Sequence, residues 1–285
     1  MAVSAAMRSA EAAAPLPTIV GSTVTVVDAG GVGGVLVTPE GVDSNRTVLY
    51  LHGGGYLFLT TQSHVAVMAA LAAESGAACL GIDYRRAPED RFPAPVEDAV
   101  TAYRWLLDSG HRPDAIALAG DSAGGGLVLS LLIALRDQGL SLPAAAVCFS
   151  PWTDLSVTGP SADSAPDPVV GGTALRMMAA AYLDGVNSSD PLASPLYADL
   201  HGLPPLQIQV GGREALLDDA RRFAERALEA GVAVTYLEHP GVIHMWIVFG
   251  PDVPESKEAF TKAGSFLSDH LHRGGGTSAE GHDRR

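Results

Sequence analysis

The sequence predicts an α/β fold in which a mostly parallel sheet is covered by helices on both faces. Three observations lead there. Between residues 47 and 150, short apolar runs alternate with helical stretches of roughly a dozen residues, the rhythm of βαβ units. The runs are continuously apolar rather than alternating, as strands buried on both faces require. A chain of 285 residues, 47% hydrophobic and 18% charged, is long enough for one large domain with a buried core.

Taken in order, residues 1 to about 16 are Ala-rich without a strong amphipathic pattern, which predicts a short helix or disorder. Thr23 to Val27 and Gly34 to Thr38 are β-branched runs separated by glycines and read as an antiparallel hairpin. The alternation then begins: strand Thr47 to Leu51, helix Gln62 to Ser75, strand Ala77 to Asp83. Helix Pro95 to Ser109 starts with proline in its first turn, where the missing N–H costs nothing. Strand Ile116 to Ala119, helix Gly124 to Gln138 and strand Ala145 to Ser150 continue the pattern. Residues 152 to about 200 break it. They are rich in Asp, Pro, Gly and Ser with one helical stretch, Gly172 to Leu183, and read as an insertion above the sheet. The rhythm resumes with strand Leu206 to Val210, helix Asp218 to Ala230, strand Ala233 to Glu238 and helix Glu255 to His272; residues 273–285 read as a flexible tail.

Composition excludes several classes of function. A net charge of −14, from 18 Lys and Arg against 32 Asp and Glu, is the wrong sign for a nucleic-acid surface. The pairs Arg85-Arg86 and Arg221-Arg222 lie among acids and read as solvated surface. The longest apolar runs, such as Ala144 to Phe149, are too short to cross a bilayer. The N-terminus lacks the basic start and apolar core of a secretory signal, so the expected location is cytoplasmic. Cys79 and Cys148 sit inside apolar runs and read as buried thiols, with no disulfide framework and no zinc spacing.

Gly120-Asp121-Ser122-Ala123-Gly124 matches Gly-x-Ser-x-Gly and falls between a strand and a helix, the context a nucleophile elbow requires. A sharp turn there strains the serine backbone, and side chains at the flanking glycines would collide. The Ser122 hydroxyl would stand at a helix N-terminus, where backbone dipoles favour developing negative charge. His52-Gly53-Gly54-Gly55-Tyr56 follows the strand Thr47 to Leu51; its glycines leave N–H groups free to form an oxyanion hole. The companion donor would be the N–H of Ala123, the residue after the nucleophile.

A serine nucleophile needs a base, and the base needs an orienting acid, in the chain order Ser, acid, His. His244 lies on a loop beyond a late strand; His239 abuts that strand and is less well placed to reach Ser122. His201 precedes the acid, His270 and His272 end the last helix, and His282 is in the tail, so these read as surface histidines. Glu214 is the first carboxylate after strand Leu206 to Val210. Its rivals Asp218 and Asp219 fall in the first turn of the next helix, where acids cap the N-terminus. Tyr56 and Trp246 fit pocket lining and core packing equally well.

The motif set has a family resemblance. His52-Gly53-Gly54-Gly55-Tyr56, Asp83-Tyr84-Arg85-Arg86-Ala87-Pro88-Glu89, Phe92-Pro93-Ala94-Pro95-Val96-Glu97-Asp98, Gly120-Asp121-Ser122-Ala123-Gly124-Gly125, Ser150-Pro151-Trp152-Thr153-Asp154 and Pro240-Gly241-Val242-Ile243-His244 occur in order between about Gly21 and His272. In this the chain resembles the hormone-sensitive-lipase-like bacterial carboxylesterases of the α/β-hydrolase superfamily, and sequences called monoterpene ε-lactone hydrolases and acetyl-hydrolases. The resemblance implies an α/β-hydrolase fold with a small helical cap, made mainly by residues 152–200 with a possible contribution from residues 1–20. It implies Ser122, Glu214 and His244 as a triad, and Gly54, Gly55 and Ala123 as oxyanion donors. It gives Asp83-Tyr84-Arg85 and Pro88-Glu89 a structural role, as a turn supporting the oxyanion loop. Family members usually carry a longer N-terminal helical segment, so the depth of the pocket, and with it the acyl chain length, is a point of departure.

The expected function is hydrolysis of small carboxylic esters through an acyl-enzyme, without metal or organic cofactor. A lactonase or amidase with the same triad is the alternative, and a non-catalytic small-molecule receptor a remoter one, since His244 is present. A homodimer through the edge strand Ala233 to Glu238 is expected by analogy.

Overall fold

The computed structural model describes residues 15–42 and 45–273. Its strands are β1 (Ser22–Asp28), β2 (Gly33–Pro39), β3 (Thr47–Leu51), β4 (Ala78–Ile82), β5 (Ile116–Asp121), β6 (Ala146–Phe149), β7 (Leu206–Gly211) and β8 (Val234–His239). They form one sheet in the order β1-β2-β4-β3-β5-β6-β7-β8. The first two pairings, β1 with β2 and β2 with β4, are antiparallel, and every later pairing is parallel. The helices are α1 (Val65–Ser75), α2 (Ala94–Asp108), α3 (Ala123–Asp137), α4 (Ser161–Ser164), α5 (Gly172–Leu183), α6 (Leu217–Glu229) and α7 (Pro254–Arg273).

The alternation of side chains along each strand divides the core in two. Leu49 and Leu51 of β3, Leu80 and Ile82 of β4, and Ile116 and Leu118 of β5 pack on one face with α2, α3 and α6. Val48, Tyr50, Cys79, Ala117, Ala119 and Phe149 pack on the other, with α1 and α7. Both faces of the central strands are dry, which is why their sequence is apolar throughout. β7 departs from this rule. Ile208 is buried on the first face, while Gln207 and Gln209 are buried on the second and bond to the backbone of α7, at the carbonyls of Lys262 (3.3 Å) and Ala259 (3.0 Å). Cys79 and Cys148 are free and buried.

Most predicted elements are present within one or two residues. The expected helix from Gln62 begins instead as a 3-10 turn, Thr61–His64, and becomes α-helical only at Val65; it stops at Gly76, whose φ of 62° is left-handed. β5 runs two residues further than its apolar pattern indicated and delivers Asp121 to the site. Between β6 and β7 the chain makes a long excursion carrying α5 and the short α4, which the sequence pattern did not indicate.

That excursion is fastened by carboxylates. Asp219 accepts the N–H groups of Thr153 (2.9 Å) and Asp154 (2.8 Å), and Asp218 accepts that of Ser161 (2.7 Å). Ser161 replies by donating its hydroxyl to the Ala215 carbonyl (2.8 Å). Both aspartates do lie in the first turn of α6, but neither caps that helix, contrary to expectation: their side chains reach across to another segment. The paired arginines likewise differ from free surface. Arg85 binds Asp98, Arg86 donates to the Leu59 carbonyl, and Arg222 reaches the buried Asp154 (3.3 Å). Among the described residues no helix is long and apolar enough to cross a membrane. The expectations for residues 1–14 and for the tail beyond Arg273 lie outside the described residues.

Candidate active site

β5 ends at Asp121 and α3 starts at Ala123, so the whole reversal of direction falls on Ser122. Its φ of 54° and ψ of −122° are outside the regions L-residues favour. Such a conformation persists only when its surroundings fix it. Here the Ser122 N–H bonds to the Phe149 carbonyl (2.8 Å), and its carbonyl accepts from Gly126 (3.0 Å) and Trp152 (2.9 Å). The turn is so tight that a Cβ on Gly124 would stand 2.0 Å from the Leu51 carbonyl oxygen. The glycine loop after β3 therefore lies directly against the start of α3. Within that loop Gly54 has a φ of 113°, and a Cβ there would lie 2.2 Å from the Phe58 carbonyl oxygen. The loop is tied to the elbow through Gly53, whose N–H bonds to Asp121 (2.9 Å), and Ala123 opens α3 directly after Ser122.

The Ser122 Oγ is 3.0 Å from His244 Nε2, and both residues are buried. His244 follows β8 on a loop strapped to the one after β7: Gly212 N–H bonds to the His239 carbonyl (2.9 Å) and Arg213 N–H to that of Val242 (3.0 Å). This lacing brings Glu214 Oε1 to 3.6 Å from His244 Nδ1, an ion-pair distance rather than a closed hydrogen bond. The other carboxylate oxygen accepts from the Ser150 hydroxyl (2.8 Å) and the Gly211 N–H (3.1 Å). Burial works against a charged imidazole at His244, but the facing Glu214 carboxylate outweighs it and holds the pKa above the usual histidine value.

Ser122, His244 and Glu214 thus come together beyond the ends of β5, β8 and β7. His239 does not join them. It is turned to Gln209 (2.9 Å) and packs beside Trp246, while burial lowers its pKa. Tyr56, which fitted two roles, is a buried packing residue stacked on Tyr182 of α5 with ring centroids 4.0 Å apart, whereas Trp246 is buried and also borders the small space beside Ser122.

Sequence reasoning gave no role to Ser150, although a serine following β6, the strand next to β5, is well placed to meet Glu214. The resemblance gives Asp121 a supporting role beside Ser122, but its partners under the glycine loop carry no motif. There Asp121 accepts the Tyr50 hydroxyl (2.7 Å) and the Gly53 N–H (2.9 Å), and lies 3.4 Å from His64. The turn after β4 buttresses the same loop: Tyr84 donates to the His52 carbonyl (2.6 Å), its ring stacked on His52, and Ala87 N–H bonds to the Tyr56 carbonyl (3.0 Å).

Comparison with known proteins agrees with this architecture. The α/β hydrolase fold family matches residues 48–248. An acetyl-hydrolase of Streptomyces hygroscopicus is 51% identical over 224 residues, 78% of this chain and 75% of that protein. The crystal structure of an esterase from the bacterial hormone-sensitive lipase family superposes with a TM-score of 0.88 at 44% identity, covering 93% of this chain and 96% of the other. Another esterase, solved after soaking with p-nitrophenyl butyrate, has a TM-score of 0.88 at 41% identity, covering 94% and 91%. The chain belongs to the α/β-hydrolase fold family and, within it, to the bacterial hormone-sensitive-lipase family of carboxylic ester hydrolases.

Proposed function

We propose that the protein is a serine carboxylesterase in which Ser122 is the nucleophile, His244 the general base and Glu214 the orienting acid. The observation that carries this reading is the 3.0 Å contact between Ser122 Oγ and His244 Nε2 at a strained strand-to-helix turn. His244 takes the Ser122 proton as the oxygen attacks the ester carbonyl. The N–H groups of Gly54, Gly55 and Ala123 hold the oxyanion while the tetrahedral intermediate forms. The proton passes to the leaving alcohol, and the acyl group remains on Ser122. Water, deprotonated by His244, then releases the acid and regenerates the serine. Glu214 stabilises the imidazolium in both steps. This sequence uses no metal and no organic cofactor.

The relative soaked with p-nitrophenyl butyrate supports a short acyl group. Residues 152–200 form the cap in this reading. The Met178 sulfur, which a Cβ on Gly55 would meet at 2.2 Å, and the Tyr56–Tyr182 stack support that role. A cytoplasmic setting and a dimer through the outer edge of β8 belong to the same proposal. The test is turnover of p-nitrophenyl esters from acetate to laurate. Ser122→Ala is expected to lower kcat by about ten-thousand-fold or more. Glu214→Ala is expected to lower it less, and kcat/KM of the wild type to fall as pH drops through the raised His244 pKa. Undiminished turnover in Ser122→Ala would overturn the assignment.

A further inference from the structure

Asp167 lies in the β6–β7 excursion, between α4 and α5, and is half-buried. One of its oxygens accepts the N–H groups of Val169 (2.9 Å) and Val170 (3.4 Å), which folds the entry to α5. The other accepts the N–H of Ala215 at 2.9 Å. Ala215 directly follows Glu214 and is buried. A carboxylate carried by the excursion is thus bonded to the backbone of the acid's own loop, 48 residues away in sequence.

We propose that Asp167 is a positioning residue for the triad: from the cap it fixes the backbone at Glu214 and adds a second negative charge on the His244 side of the site. The inference rests on the triad reading above. A neutral acceptor would make the same bond to Ala215, so what the carboxylate adds is charge. Three carboxylates act on the buried imidazole: Glu214 from the loop after β7, Asp167 from the excursion and Asp121 from the end of β5. Each favours the imidazolium that forms when Ser122 attacks, against the burial that opposes it. Asp167 is the one supplied by the excursion, so basicity at His244 is linked to that segment through it.

Asp167→Asn and Asp167→Ala separate the two effects. The amide keeps an oxygen for the Ala215 N–H and removes the charge. Its expected result is an acid limb of kcat/KM displaced to lower pH by about half a unit, with plateau kcat within about two-fold of wild type. The His244 imidazole titration, followed by NMR, is expected to move by the same amount. Alanine also removes the acceptor and is expected to lower kcat by about ten-fold with little change in KM, as Glu214 loses its fixed position. Asp163→Asn, at an exposed ion pair with Arg176, serves as the control and is expected to leave the limb in place. His244→Gln tests the underlying reading. If it abolishes turnover while Asp167→Asn leaves both the limb and the NMR titration unmoved, the role of Asp167 is overturned and the triad stands. If His244→Gln retains full turnover, the triad reading itself fails.

Discussion

Two aspartates, Asp121 under the glycine loop and Asp219 under the β6–β7 excursion, are almost equally inaccessible, at 1% and 3% exposure, yet their carboxyl groups respond to the fold in opposite directions. Burial alone raises both. At Asp121 the charge and bond of His64 and the Tyr50 hydroxyl overcome it, and the pKa lies below the usual carboxylate range. At Asp219 burial is joined by repulsion from Asp154, and the backbone N–H groups of Thr153 and Asp154 only partly compensate, so the pKa is pushed up to about 7. What separates the two regions is the sign of the neighbouring group. Asp121 faces an imidazole that can share its charge, whereas Asp219 faces a second carboxylate already committed to Thr158, Tyr197 and Arg222. The first arrangement makes a firm floor for the glycine loop. The second ties the excursion to α6 with a strength that depends on pH.

The severest way to break this comparison is Asp121→Ala. It strands the buried Tyr50 hydroxyl and Gly53 N–H without their acceptor, and leaves His64 beside a void. The expected loss of stability is about 3–5 kcal/mol by denaturant titration, with kcat falling as the glycine loop loosens. A loss below about 1 kcal/mol would mean that the floor does not depend on this carboxylate.

Asp219→Asn is expected to act in the other direction. A group whose folded pKa is raised contributes stability that is fully present below its unfolded value of about 4 and is lost as pH rises through the folded value. Wild type therefore loses stability between about pH 4 and about pH 7 on account of Asp219. Asparagine keeps an oxygen for the Thr153 and Asp154 N–H groups and carries no charge, so this component disappears. Thermal unfolding is expected to show the variant close to wild type at pH 4–5 and more stable by on the order of 2–3 kcal/mol at pH 8. A difference independent of pH would refute the account of Asp219.

The contrast also marks how far the sequence was readable. The elbow at Ser122 and the loop at Gly53 to Gly55 are legible because each is a local string whose glycines meet a local steric need. Glu214 and His244 are legible because strand order limits which late carboxylate and histidine can reach a serine at the end of β5. The supports are of another kind. Tyr50 meets Asp121 across 71 residues and Thr153 meets Asp219 across 66, through side chains with no motif of their own. A helix-capping rule applied to Asp218 and Asp219 named the correct turn and the wrong partners, because local propensity is silent about a segment that folds back from 57 or 66 residues earlier. The Gln face of β7 was hidden for a related reason: those amides are satisfied by α7, which the strand's own pattern does not contain.

Tyr50→Phe is the gentlest change and the one that sharpens the comparison most. Tyr50 is fully buried among the residues facing α1 and α7, and phenylalanine preserves that packing while removing the single donor at 2.7 Å from Asp121. Gly53 N–H and His64 remain, so Asp121 stays ionised at neutral pH with a weaker hold on its charge. A hydrogen bond to a charged acceptor is worth about 1.5 kcal/mol at the low end of its range, and that is the stability loss expected at pH 7. The pH dependence is the mirror image of Asp219. Because the folded pKa of Asp121 is depressed, its contribution is present above about pH 4 and is lost as pH falls through the folded value. The gap between wild type and Tyr50→Phe should therefore narrow only as pH falls below about 4, whereas the gap produced by Asp219→Asn closes earlier, between about pH 7 and about pH 4, as protonation of wild-type Asp219 relieves its repulsion from Asp154. Combining the two substitutions should give additive changes at pH 7, since the two carboxylates share no partner. A marked departure from additivity would instead mean that the floor of the glycine loop and the root of the excursion behave as one cooperative unit.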